Sequence, residues 1–574
     1  VRFRESKRSK QRAARLEALQ KAADRLGWST GPDRKGLIGV VARRLPERRD
    51  PVVAVVSDDA EPGFAEVLRV ALPRARVTVL LRRDGIRELH LALAATGPQD
   101  LVVDLSRRGA HDRRFSVLLL HLCRGGTLVS RLPQRRGPFH ALLGELQRLR
   151  QDGPPPPPRT PREGRDDRPW AERDLAALVN SIDELVVRRR WVVAVMGVTT
   201  SAVVREEEME RYLELRGGPD RVLATIPGRP WTSRARLRAS SKEVLDAFST
   251  MHDPVDVSLR VHHDVVCGPE QTAVREDIVL PASYRHFRKP RLANRSLVGW
   301  TADFVRTPSL DAPRLRGRWF YLDNQHRGHF GHAMTEQISL LWAWREAKER
   351  HPDLRALVFL NRGRRLAEWE YELLAAGGVP REDIVMAEHP VRVESLFTAT
   401  PMFSMSAQLH PEIAATWATI GETLAARASD RSYPDRVFCT RRVAKRACHN
   451  LDDVEEFFRA RGFEVVVPEE NPLADQVQLF RQASVIAGFA GSGMFQLALT
   501  GGPRHAILVS SESYTARNEY MISSVLGHRH DIAVCRADTP HPPGQWSAAA
   551  YTSDFTFDPE REGRFVDEVL AGPA

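Results

Sequence analysis

Apolar residues in this chain gather into short runs of strand length, separated by stretches whose polar positions recur at helical spacing. Val52-Val53-Ala54-Val55-Val56 is the first such run. Helical spacing follows at 65–72, and strand-length runs recur at 75–81, 101–105 and 126–129. Strands alternating with helices predict a parallel sheet. A clearer alternation lies near the C-terminus. It predicts strands at 436–439, 463–467, 484–487 and 506–509, with helices at 450–461, 473–482 and from 494 to 499. Gly462 ends the first of these helices. Asn450 is placed to cap it, with Asp452 and Asp453 in its positive first turn. This βαβαβ order predicts a Rossmann-type half.

The intervals between these patterns suggest the domain organisation. Residues 1–50 form a basic segment with a helical stretch at 11–26, and 51–150 a small Rossmann-like α/β domain. Residues 151–168 include five consecutive prolines, Pro154 to Pro158, and read as a semi-rigid linker. Residues 169–420 and 421–574 form two further units, and 261–279, with His262, His263 and Asp264, reads as β-rich. The apolar stretch from Trp191 to Val204 contains Gly197 and hydroxyl residues. It is too short to span a bilayer and reads as a buried strand and turn. No secretory signal is expected, since no apolar stretch follows Val1-Arg2-Phe3-Arg4.

Charge widens the options. A net charge of +11 suits a phosphorylated substrate, an anionic membrane surface or nucleic acid. Neither an aromatic-rich RNA motif nor a helix-turn-helix signature is present, so nucleic acid is not an expected partner. The basic N-terminus is either a solvated helix or a dock for anionic lipid. The five cysteines are scattered, which argues against a disulfide scaffold and suits a reducing compartment. The expectation is a cytoplasmic protein, at most peripheral at the inner membrane face.

Three clusters could carry chemistry. Gly488-Phe489-Ala490-Gly491-Ser492-Gly493 joins a predicted strand to a predicted helix. Such a loop offers backbone N–H groups and a helix N-terminus to a phosphate, with Ser492 adding a hydroxyl. Taken alone it reads equally well as a tight turn. Arg441, Arg442, Lys445 and Arg446 follow the strand at 436–439, where sheet ligands bind, and could neutralise a diphosphate; a solvated basic turn is the plainer account. In Asp323-Asn324-Gln325-His326-Arg327-Gly328-His329-Phe330-Gly331-His332-Ala333-Met334-Thr335-Glu336 three histidines recur at steps of three, but Gly328 and Gly331 interrupt them, so a metal site is not expected. His332 and Glu336 share one helix face. They suit a general base at a cleft, or a polar pair capping the helix. Asp58-Asp59, at the end of the first strand, is an acidic pair or a strand-end turn, and no glycine fingerprint for a dinucleotide follows that strand.

Together these blocks resemble glycosyltransferase family 61 over about residues 278–535. The resemblance rests on 328–336 with Leu340-Leu341-Trp342, on Arg442, Arg446 and Asn450, and on 463–468 through Gly493. It implies an α/β, GT-B-like fold of two Rossmann-type lobes, here preceded by a separate small α/β domain. The lobe at 169–420 would take the acceptor and the lobe at 421–574 the donor. It implies inverting transfer from a nucleotide-sugar, usually a UDP-sugar, to a glycan or glycoconjugate hydroxyl in polysaccharide or capsule synthesis, with no cofactor and no metal. His332 and Glu336 would be catalytic. Arg442, Arg446, Asn450, Gly488, Gly491, Ser492 and Gly493 would bind the donor. Ala490 stands where the family places His, and Gln496 where it places Asn. The alternative is a catalytically weakened protein that binds a glycan or nucleotide-sugar on the same scaffold.

Overall fold

The computed structural model describes residues 2–28, 32–48, 50–58, 63–153, 168–294, 296–299, 301–307, 311–360, 363–442 and 445–572. Asp59 and the prolines 154–158 lie outside the described residues.

The fold is mixed α/β, with several sheets. The first comprises β1 (Val52–Ser57), β2 (Arg76–Leu81), β3 (Gln99–Asp104), β4 (Leu122–Arg131), β5 (Ile182–Val187) and β6 (Trp191–Met196), in the order β2-β1-β3-β4-β6-β5. The first four are parallel, and β6 runs antiparallel to both β4 and β5. Val53, Ala54 and Val55 are buried, as a central parallel strand covered on both faces requires. The sheet continues past the boundary expected at 151–168, because β5 and β6 complete it from the other side of the proline stretch.

The basic N-terminus belongs to this unit. Helix Arg2–Arg25 buries Leu19, Ala22 and Ala23, and helix Pro32–Arg44 buries Leu37, Ile38 and Val41, in one cluster with Val53 and Val55 of β1. Arg44 fastens the second helix to Glu184 of β5, its Nη1 donating across 2.7 Å. Nor does the unit stand apart from the middle of the chain. Ala54, Leu118 and Leu128 share a core with Val265, Trp319 and Leu357 of a second sheet, and Arg87 pairs with Asp303 at 2.6 Å. The expected separate domain is therefore docked through a continuous apolar core.

This second, middle sheet is mixed. Val257–Gly268 lies antiparallel to Val391–Ala399, which is parallel to Arg314–Tyr321, and Arg355–Phe359 and Ile384–Ala387 extend it in parallel. The C-terminal sheet is parallel in the order Glu464–Val466, Arg436–Cys439, Val485–Phe489, His505–Ser511, Arg529–Ala537. Every strand of the expected βαβαβ pattern is present. A parallel edge strand, Arg236–Ala239, joins it from within 169–420, so the two later units exchange a strand across the expected boundary. No helix among the described residues is long and apolar enough to cross a membrane.

Candidate active site

The chain leaves strand Arg314–Tyr321 of the middle sheet, turns through Gly328 at φ +77°, and enters a helical run at Phe330. That run is irregular. One α-turn (Phe330–His332) is followed by a widened π-turn (Ala333–Gln337) and a tight turn (Ile338–Leu340). A regular helix, Leu341–Arg350, completes the run. Its apolar face, Met334, Ile338, Leu341 and Trp344, is buried and fixes its rotation. Widened turns of this kind often mark functional sites. Here the turn carries His332 and Glu336.

His332 Nδ1 donates to Glu336 Oε1 at 3.0 Å, which directs Nε2 away from the carboxylate. Glu336 is almost fully buried. Arg285 Nε donates to its Oε1 at 2.5 Å and Asn324 Nδ2 to its Oε2 at 3.2 Å. Burial pushes this carboxyl up. The His332 hydrogen bond and the Arg285 cation outweigh it and hold Glu336 down at about 2. Glu336 therefore stays anionic and orients His332. The His326 ring stacks on His332 at 4.3 Å between centroids, and Arg285 Nη1 donates to His326 Nε2 at 3.2 Å. His286, on the same wall, is pushed down to about 4 by burial and by Arg285.

The opposite wall comes from the C-terminal sheet. Strand Val485–Phe489 runs into the glycine loop, and Ser492–Leu499 is a 3₁₀ helix rather than the expected α-helix. Gly491 has φ +143°, a conformation open to glycine and strained for other residues. Its N–H is engaged, donating to the buried Glu519 Oε1 at 2.7 Å. Burial pushes Glu519 up to about 7, against its own backbone N–H, the Gly491 N–H and the Arg446 cation. Arg446 sits in the left-handed region at φ +55°. Its guanidinium lies 4.2 Å from the Tyr514 ring centroid and 5.5 Å from that of Tyr551, and its Nε is buried with no hydrogen-bond partner among the described residues. Arg441 Nη1 donates to the Ala490 carbonyl at 3.2 Å, and a further bond joins Arg441 to the Arg446 carbonyl.

Both walls enclose one cleft of about 610 Å³, within the range of small-molecule sites. Arg285, His332 and Glu336 line one side, and Lys445, Arg446, Ser492 and Tyr514 the other. The cleft thus gathers His332, Glu336, Arg446 and Ser492 from the sequence-based set, with Gly491 beside them.

Four members of that set are placed elsewhere. Arg442 is half-exposed and turned onto Glu455 of the next helix, Nη1 to Oε1 2.5 Å, away from the cleft lining. Asn450 neither caps its helix nor reaches the cleft. Its side chain pairs with the backbone of Phe557, donating to the carbonyl at 2.8 Å and accepting the N–H at 3.1 Å. Gly488 is a strand residue. A Cβ there would stand 2.7 Å from Met494 Sδ and 2.8 Å from the Cys439 carbonyl, so close packing explains the glycine. Gly493 does not line the cleft, and a Cβ there would meet nothing within 4 Å. Gln496 faces away as well, donating to Gln476 at 2.6 Å.

Arg285, Glu519 and Tyr514 were not expected from the sequence, and Asn324 stood in the histidine block without a role. Each is a single polar residue whose partner is distant in the chain or belongs to a motif recognised only from one side.

The Glycosyltransferase 61 family model matches residues 330–505, which carry His332, Glu336, Arg446, Gly491 and Ser492. No curated protein matches the chain. Among solved structures, two of the MycE methyltransferase of the mycinamycin biosynthetic pathway, one with Mg and SAH and one also with mycinamycin VI, align at 16% and 17% identity. Both cover 31% of this chain at a TM-score of 0.22. The chain spans about half of their length, 49% and 48%. The iron-containing dodecameric glycosyltransferase TibC from enterotoxigenic E. coli H10407 aligns at 13% identity over 46% of this chain and 77% of that one, with a TM-score of 0.21. Likeness at these scores does not define a shared fold. The family match thus likens residues 330–505, the part that carries both walls of the cleft, to glycosyltransferase family 61.

Proposed function

We propose that the cleft moves a sugar from a nucleotide-sugar, in the first instance a UDP-sugar, to a hydroxyl of a glycan or glycoconjugate, with inversion and without a metal. The observation that carries this reading is the pairing of an oriented histidine with cations across one cleft. His332 Nε2 takes the proton of the acceptor hydroxyl. The freed oxygen attacks the anomeric carbon from the face opposite the diphosphate. The bond to the diphosphate breaks, and its electron pair leaves with the phosphate oxygen. Glu336 remains ionised throughout and stabilises the imidazolium, as an orienting carboxylate does. Arg446 and Lys445 neutralise the charge that develops on the leaving diphosphate, with the Ser492 end of the loop beside them.

The two α/β halves facing this cleft support a GT-B arrangement, with the donor on the C-terminal sheet and the acceptor against the His332 helix. Polysaccharide or capsule synthesis at the cytoplasmic membrane face fits such an acceptor. The exposed Lys10 and Arg12 of the first helix would give weak contact with anionic lipid. A second reading, a nucleotide-sugar-binding protein of weakened activity, is favoured by one observation: Glu519 already holds the Gly491 N–H. Incubation with UDP-sugars and a panel of glycan acceptors separates the two. Release of UDP with a product of inverted anomeric configuration supports transfer. Binding with neither transfer nor hydrolysis supports the second reading.

A further inference from the structure

A second cavity, of about 490 Å³, lies in the first sheet, far in sequence from the transferase cleft. β1, β2, β3 and β4 are parallel and their carboxyl ends share one edge. The chain order reverses there: β2 pairs on one side of β1, and β3 on the other. Open α/β sheets bind ligands at this kind of switch point. The cavity sits on it, lined by Ser57 and Asp58 after β1, Arg82 after β2, and Leu105, Arg107 and Arg108 after β3.

The loop after β3 is built to hold a shape. Asp104 and Arg114 form an ion pair at 2.8 Å with both side chains almost wholly buried, a costly arrangement unless it fixes geometry. Asp104 Oδ1 accepts the Ser106 N–H at 3.0 Å, and Arg114 Nη1 donates to the Arg108 carbonyl at 3.4 Å. Asp58 ties the two sides together. It accepts the Arg107 N–H at 2.8 Å and pairs with Arg82 Nε at 2.5 Å. Gly109, at φ +90°, lets Arg82 pass; a Cβ there would stand 3.4 Å from Arg82 Cδ. This network leaves the side chains of Arg107 and Arg108 exposed at the cavity. Trp28, partly exposed, also lines the cavity, backed by the buried Phe64 with ring centroids 4.9 Å apart.

Among the described lining residues the cations outnumber the one carboxylate, Asp58, which is already paired with Arg82. A glycine cradle for a pyrophosphate is missing after β1, so the anion must be taken by side chains. We propose that this cavity is a second ligand site, distinct from the transferase cleft, that takes a nucleoside phosphate with its phosphate on Arg82, Arg107 and Arg108 and its ring system against the Trp28–Phe64 wall. A sulfonium nucleoside such as S-adenosylmethionine has a similar size but carries positive charge near the arginines, and should not be retained.

Hydrogen–deuterium exchange on the full chain tests this site by site. With millimolar ADP or UDP, amides of 105–111 should exchange about tenfold more slowly, as ligand binding to the folded state requires. The R107S/R108S double variant alters exposed residues only and should lose that protection. Inorganic phosphate should compete, and S-adenosylmethionine should give no protection. Absence of protection at 105–111 with both nucleotides, protection that survives in R107S/R108S, or protection by S-adenosylmethionine alone would each overturn the proposal. Protection at 488–493 reports on the transferase cleft separately, so failure at one site leaves the other readable.

Discussion

Ser492 of the glycine loop lies against Gly331 of the His332 helix so closely that a Cβ on the glycine would stand 2.9 Å from the serine Cβ. Phe495 Cε2 would be 3.1 Å away on the same side. The two walls of the cleft therefore meet through a missing side chain. Gly331→Ala must push them apart, and overpacking of this kind destabilises by about 1–3 kcal/mol. The expected result is a lower urea midpoint with a transfer rate reduced about tenfold or more, since misplacement on the ångström scale is expensive in catalysis. An unchanged midpoint and rate would show that the two walls do not need this contact.

Arg442 and Arg446 are four residues apart and should behave oppositely. Arg446→Ser removes a cleft cation and should weaken donor binding about tenfold or more, as loss of a charge-assisted contact does. Arg442→Ser breaks a half-exposed ion pair with Glu455, worth about 1 kcal/mol or less. Its donor affinity should stay at the wild-type value by calorimetry. The reverse ranking would return Arg442 to the donor site.

Glu519 lies under Gly491 and is pushed up to about 7 by burial. Below that pH it is mostly protonated and neutral; above it, a carboxylate forms beside the diphosphate position. Donor affinity should therefore fall as pH rises from 6 to 8. In Glu519→Gln the dependence should flatten. The dissociation constant measured across this range decides the point, and an equally steep curve in the variant would place the titrating group elsewhere.

Two groups on the His332 wall contribute to the acid stability with the same sign. Glu336 is held at about 2, below its ordinary 4.5, so its contribution is present above 4.5 and is lost as pH falls toward 2. His286 is pushed down to about 4 from 6.5, so folding disfavours its proton, and stability is lost as pH falls from 6.5 to 4. The loss of urea midpoint between pH 6.5 and 4 should be smaller in His286→Gln than in the wild type, and an equal loss in the variant would contradict the assignment to His286.

The C-terminal sheet was legible because each of its elements is declared locally, by apolar runs of strand length and glycine or proline stops. The sheet boundaries were not. β5 and β6 reach back over the proline stretch to β4, and 236–239 reaches forward to Arg529–Ala537, pairings that local periodicity cannot register. Within the site, the blocks at 328–336 and 488–493 stood out as motifs and do face each other. Gly488 and Gly491 look alike as letters, yet one permits packing against Met494 and the other bends the loop. Arg285 and Glu519 gave no signal because their partners stand 51 and 28 residues away.

The most direct test is single-turnover transfer by His332→Ala beside donor binding by calorimetry. Loss of a positioned base should lower the rate by about 10²–10⁴-fold. Donor affinity should remain that of the wild type, because Arg446 and the loop are untouched. Transfer at the wild-type rate in His332→Ala would contradict the assignment of His332 as the base, and so would a loss of rate explained wholly by a loss of donor binding.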